Sequence, residues 1–173
     1  MSVLERFRKI KLFAFDMDGV LTDGTVWVQE SGEQVRRMSI KDGYALQLAV
    51  RKGYHVVVIS GSFSQPVIQR LNKLGISNVH MNVQDKSKVL QEQVSSLELS
   101  MDEVLFMGDD IPDYAVMKMV GMAAAPKDAV DDIKHIAGYV SRYNGGLGCV
   151  RDVIETVLKL NNDWQLETEV KSL

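Results

Sequence analysis

Short apolar runs, each closed by small or acidic residues, recur along this chain. "IKLFAFDMD", "YHVVVISG" and "EVLFMGDD" carry the pattern most clearly, and "SNVHMN", "VGMAAAP" and "AGYVS" repeat it more weakly. An unbroken apolar run predicts a strand covered on both faces. Between the runs, apolar positions fall at helical spacing. "DGYALQLAVRKG" stops at Gly53, and "SQPVIQRLNKLG" opens on the cap residue Ser64 and stops at Gly75. "DKSKVLQEQVSSL", "DYAVMKMVG" and "GCVRDVIETVLKL" complete the set. Strands alternating with helices predict an α/β fold: a Rossmann-like parallel sheet with helices on both faces. Ser100 and Glu103 have capping-box spacing, but "DEVLFM" is strand-like, so a turn is expected there.

One segment breaks the alternation. "TVWVQESGEQVRRMSI" alternates apolar and polar residues on both sides of "ESGE", which predicts a β-hairpin pairing Thr25–Gln29 with Gln34–Ile40. The expected organisation is one domain over residues 1–160, with this hairpin inserted at about 25–40 after the first strand. A polar, loosely held tail is expected over 161–173.

Composition narrows the function classes. At 173 residues with 46% hydrophobic and 25% charged content, the chain can build an ordinary soluble core. A formal charge of −3 supplies no basic field for nucleic acid or anionic membrane, and no apolar run has the length of a membrane span. Cys149 is the only cysteine, so an internal disulfide is excluded, which fits a cytoplasmic location. His55, His80 and His135 show no ligand spacing.

The conspicuous chemistry is "FAFDMDGVLTDG", which sets Asp16, Asp18 and Asp23 at and beyond a strand end. Clustered carboxylates there are costly unless they are solvated or used. An EF-hand loop counted from Asp16 fails, because Leu21 and Trp27 stand where glycine and glutamate are needed. A signalling receiver domain would need a phospho-acceptor aspartate after a later strand, and "YHVVVIS" ends on Ser60. Phosphoryl transfer through an aspartyl-phosphate fits better. Asp16 would attack phosphorus, and Asp18 would protonate the leaving oxygen and then activate water.

That chemistry makes demands elsewhere in the chain. Carboxylates facing a phosphate dianion need a cation, and Mg²⁺ suits oxygen ligands. "GDDIPD" supplies Asp109, Asp110 and Asp113 after another strand. Ser60 and Gly61 offer a hydroxyl and backbone N–H groups for the phosphate, and Lys86 at a helix start can balance charge.

These four pieces, in this order, resemble the haloacid dehalogenase superfamily of phosphatases: "DMDGVLTDG", "ISG", Lys86 and "GDDIPD". The resemblance implies Asp16 as nucleophile, Asp18 as acid and base, and Lys86 as the balancing cation. Mg²⁺ would be held by the Asp16 side chain, the Asp18 carbonyl and Asp109, with Asp110 and Asp113 supporting. The chain lacks room for a cap domain. With "DGVLTDGTV", "SIKDGYA" and "GGLGCVRD", it looks like the capless 3-deoxy-D-manno-octulosonate (KDO) 8-phosphate phosphatases. That likeness implies a small sugar phosphate as substrate, in lipopolysaccharide synthesis. It also implies a homotetramer built through the hairpin. The substrate positions implied are Asp18, the stretch Ser39, Ile40, Lys41, Asp42 and Gly43, then Ser60, Gly61, Arg70 and Lys86.

Two departures bear on the sugar. Ser62 and Leu147 stand where the family often carries basic residues. A sister activity on a nine-carbon sugar acid, the KDN 9-phosphate phosphatase, is the alternative. A catalytically idle oligomerisation module on this scaffold is the alternative of a different class.

Overall fold

The computed structural model describes residues 2–170 and Leu173. The strands are β1 (Leu12–Phe15), β2 (Trp27–Val28), β3 (Gln34–Val35), β4 (His55–Ile59), β5 (Val79–His80), β6 (Val104–Met107), β7 (Met122–Ala125) and β8 (Tyr139–Val140). The helices are α1 (Val3–Lys9), α2 (Ile40–Arg51), α3 (Gln65–Lys73), α4 (Lys86–Ser96), α5 (Tyr114–Met117), α6 (Asp131–Ile136) and α7 (Cys149–Leu160).

The six apolar runs form one sheet in the order β5-β4-β1-β6-β7-β8. Every pairing in it is parallel. Alternation along the strands divides the core. Phe13, Phe15, Val56, Val58, Leu105 and Met107 pack with α1, α2, α3 and α7. Leu12, Ala14, Val57, Ile59, Val104 and Phe106 face α4, α5 and α6. Both faces are therefore covered, which is why the strands read as continuous apolar runs. The chain builds outward from β1 to β4 and β5, then returns to lay β6 on the other side of β1. That reversal opens a crevice at the carboxyl end of β1, where open α/β sheets bind ligands.

Three expectations need correcting. The hairpin ladder is confined to Trp27–Val28 against Gln34–Val35, with a separate bridge between Thr22 and Met38. Its expected end at Ile40 is the first turn of α2, because the Ser39 hydroxyl accepts the Asp42 N–H at 3.3 Å and caps that helix. Two helices were not foreseen. α1 begins with a realised capping box, in which the Ser2 N–H donates to Glu5 Oε2 at 2.6 Å, a Ser-x-x-Glu signal hidden by the surrounding charges. α6 spans six residues, too short to show periodicity.

The polar tail is not loose where it is described. The Tyr54 hydroxyl donates to Asp163 at 2.7 Å, Lys52 pairs with Glu167 at 2.7 Å, and the Trp164 ring meets Tyr44 edge-on. The Ser100–Glu103 capping box also forms, over the short turn expected there.

Candidate active site

Three strand ends supply the site. Asp16 follows β1, Ser60 follows β4 and Asp109 follows β6, and all three line one cleft of about 320 Å³. The Asp16 N–H extends the sheet by donating to the Met107 carbonyl at 3.0 Å. Beyond it the chain turns tightly, and Gly19 takes φ 86°, a left-handed conformation that favours glycine. A Cβ at Gly19 would lie 2.0 Å from Asp109 Oδ2, so the missing side chain lets the β1 and β6 loops close together. From behind, Gly145 presses on the same turn: a methyl group there would sit 1.9 Å from the Gly19 carbonyl oxygen.

Asp16 is 9% exposed. Its Oδ1 accepts the Met17 N–H at 2.7 Å and lies 2.9 Å from Lys86 Nζ, which fixes the plane of the carboxylate. Lys86 opens α4, where Asp85 caps the helix by accepting the Lys88 N–H at 3.0 Å. The same ammonium donates to Asp113 Oδ1 at 2.6 Å. Asp113 is fully buried, and its other oxygen accepts the Asp109 N–H at 3.1 Å, so it aligns both lysine and loop.

One ammonium thus serves several buried carboxylates. Burial pushes the Asp16 pKa up, and the Asp113 charge adds to it. Burial, followed by Asp113 and Asp110, lifts Asp109 to about 7. Burial works against the Lys86 charge, but the charges of Asp16 and Asp113 outweigh it and hold the lysine proton more tightly than usual. Excess negative charge at this end of the sheet calls for a further cation. Asp16, Asp109 and Asp113 offer oxygens within 4.8 Å of one another, a hard all-oxygen donor set that fits a small divalent ion. Asp113 is already committed to Lys86 and the Asp109 amide, so Asp16 and Asp109 are the carboxylates freer to hold such an ion.

Asp18 lines the same cleft in a different environment. Its Oδ2 accepts the Ser62 hydroxyl at 2.6 Å, and its Oδ1 pairs with Arg36 Nε at 2.7 Å. Ser60 is buried, and its hydroxyl accepts the Ser62 N–H at 3.1 Å. Asp18, Ser60, Gly61, Lys86, Asp109 and Asp110 line the cleft together with Asp16.

The remaining expected substrate residues lie outside the walls of this cleft. Ser39 caps α2. Ile40 and Arg70 line a separate groove of about 340 Å³ between the hairpin and α3. Gly43 is buried beside the Arg70 guanidinium. Lys41 faces another groove, shared with Arg142, Arg151 and Lys159. Asp42 is the clearest departure. It is 2% exposed, and its oxygens accept the N–H groups of Gly148 at 3.2 Å and Arg151 at 2.8 Å, so it caps α7 from α2. Burial lifts its pKa to about 6 against those hydrogen bonds. A role as a direct sugar ligand does not fit that position.

Arg36 was missed in the sequence. Its position in the return strand reads as part of the alternation, and only the Thr22–Met38 bridge reveals that this strand runs beside the Asp18 turn.

Comparisons with known proteins identify the family. Residues 76–154 match the model of the haloacid dehalogenase-like hydrolases. The 3-deoxy-D-manno-octulosonate 8-phosphate phosphatase KdsC of Yersinia pestis is 32% identical over 157 residues, covering 91% of this chain and 84% of the relative. The crystal structure of the Y. pestis phosphatase superposes with a TM-score of 0.91 at 31% identity, over 93% of this chain and 87% of that one. The Moraxella catarrhalis phosphatase, solved with a magnesium ion, a phosphate ion and KDO, gives 0.89 at 29% identity, over 92% of each chain. Sequence and structural relatives converge, and the chain belongs to the 3-deoxy-D-manno-octulosonate 8-phosphate phosphatase family of haloacid dehalogenase-like hydrolases.

Proposed function

We propose that this chain is a Mg²⁺-dependent phosphomonoesterase that converts KDO 8-phosphate to KDO and phosphate in the cytoplasm, for lipopolysaccharide synthesis. The observation that carries the reading is the Lys86 ammonium, 2.9 Å from Asp16 and 2.6 Å from Asp113, at the carboxyl end of β1. It sets a buried carboxylate as a nucleophile with its charge balanced. The family relationship supplies the substrate class.

Asp16 attacks phosphorus, an oxygen–phosphorus bond forms, and the bond to the sugar oxygen breaks. Asp18 gives its proton to that oxygen. Water then attacks the phosphorus of the aspartyl-phosphate, Asp18 takes the water proton, and phosphate leaves with Asp16 restored. Ser60 and Gly61 line the cleft, where the hydroxyl and backbone would take phosphoryl oxygens. Asp16 and Asp109, with the Asp18 carbonyl, would hold Mg²⁺, which supplies charge neutralisation and orients the phosphoryl group. Asp110 and Asp113 support these residues from behind.

The hairpin supports a homotetramer. Trp27 and Val28, on opposite faces of a two-stranded ribbon, are 75% and 71% exposed. Such a ribbon is marginal alone in water, and burial between subunits is its outlet. A steady-state screen of sugar phosphates with Mg²⁺ tests the function. KDO 8-phosphate is expected to give the highest kcat/KM; a higher value for KDN 9-phosphate or a neutral hexose phosphate overturns the substrate assignment.

A further inference from the structure

The cleft is rich in carboxylates, yet the proposed substrate carries a carboxylate of its own. Asp16, Asp18, Asp109 and Asp110 border it, and the Lys86 charge is already spent on Asp16 and Asp113. An acidic sugar bound there meets repulsion unless another cation intervenes. The two basic residues expected from the family pattern are absent, with Ser62 and Leu147 in their places. Leu147 lies on the α7 side, in the groove with Lys41.

Arg36 is the cation placed to act. Its side chain is only 5% exposed, an unusual position for arginine unless it is paired. Nε donates to Asp18 Oδ1 at 2.7 Å and Nη2 to Oδ2 at 3.4 Å. Nη1 has no protein acceptor among the described residues. Arg36 also lines the groove between the hairpin and α3, together with Arg70. Arg70 Nε is buried there without a hydrogen-bond partner among the described residues. Because Asp18 must reach the leaving oxygen, the leaving group lies on the Asp18 side of the phosphoryl group. That is the side on which Arg36 stands.

We infer that Arg36 has two jobs in the proposed reaction. One edge of its guanidinium positions Asp18. The other takes the carboxylate of the sugar acid, so the residue that orients the acid also reads the substrate. A planar fork with five donors can serve two carboxylates at once, which an ammonium does less well. This inference rests on the proposed KDO 8-phosphate activity.

The test compares wild type, Arg36→Ala and Arg36→Lys, with Mg²⁺ present, on KDO 8-phosphate and on glucose 6-phosphate, whose leaving alcohol is neutral. Melting temperature and Mg²⁺ affinity are measured on the same samples, since Arg36 touches none of Asp16, Asp109 and Asp113. Arg36→Ala should lose about 10²-fold or more in kcat/KM on the sugar acid, with a raised KM, but only about tenfold on the neutral ester, through kcat. Arg36→Lys should keep more of the preference for the acid than of the turnover. Equal losses on both esters, or no loss on either, overturn the inference while leaving the phosphatase reading intact. Failure of the wild type to prefer KDO 8-phosphate overturns the reading itself.

Discussion

Lys86 Nζ lies 2.9 Å from Asp16 Oδ1, and both side chains are withdrawn from solvent. Together with the second bond to Asp113, this contact makes Lys86 the counter-ion of the whole cluster. Lys86→Met should strand two buried carboxylates. Breaking a buried pair from one side costs about 3–5 kcal/mol. Loss of charge balance at the phosphoryl group should lower kcat by about 10²–10³-fold. Thermal unfolding and steady-state phosphate release measure both. Near-wild-type turnover in a folded variant would remove lysine from the mechanism.

The site should also link metal to protons. Burial lifts Asp109 to about 7 and lifts Asp16 as well, whereas unfolded aspartates titrate near 3.9. Between those values the folded, metal-free chain binds more protons than the unfolded chain. These two groups therefore make it less stable as pH rises through that window, the reverse of a salt-bridged aspartate. Mg²⁺ must displace the protons, so its affinity should rise from pH 6 to pH 8, by up to about tenfold per unit for each proton released. Calorimetric titration in two buffers of different ionisation enthalpy reads the released protons directly. A pH-independent affinity would contradict the assigned donors.

The Gly145 backbone packs closely against the turn that follows Asp16. With a Cβ destined to fall 1.9 Å from the Gly19 oxygen, Gly145→Ala must push the turn or its own loop aside. Overpacking of this kind costs about 1–3 kcal/mol. A displacement near 1 Å at the reacting groups is worth about 10² in rate. We expect the activity loss to exceed the loss of stability. Unchanged kcat would show that the late glycine loop is a bystander.

Assembly is testable at Trp27. Trp27→Glu should dissociate the proposed tetramer, because a charge replaces the largest apolar group on an uncovered ribbon. Light scattering at micromolar concentration reports the mass. A wild-type monomer contradicts the assembly outright.

Much of this architecture is written in local patterns. Strands β1, β6 and β7 are apolar on both faces, and four cleft residues, Asp16, Ser60, Lys86 and Asp109, stand at or just past a strand end or at a helix start. What stayed hidden depends on contacts between distant segments. Asp42 reads as a polar residue at a helix start, and nothing in its neighbourhood announces that it caps a helix more than a hundred positions later. Arg36 reads as an ordinary charge in a hairpin until the return strand is seen beside Asp18. Tyr54 and Lys52 give no sign that they anchor the tail.

The central claim is that Asp16 is the nucleophile of a KDO 8-phosphate phosphatase. The most direct measurement is phosphate release from KDO 8-phosphate with Mg²⁺, wild type beside Asp16→Asn, after freshly made protein has been checked by mass spectrometry for deamidation of Asn back to Asp. An amide oxygen is a poor nucleophile, so the variant should release phosphate only at the uncatalysed background while the wild type turns over. Sustained Mg²⁺-dependent turnover by a verified Asp16→Asn sample would contradict the account.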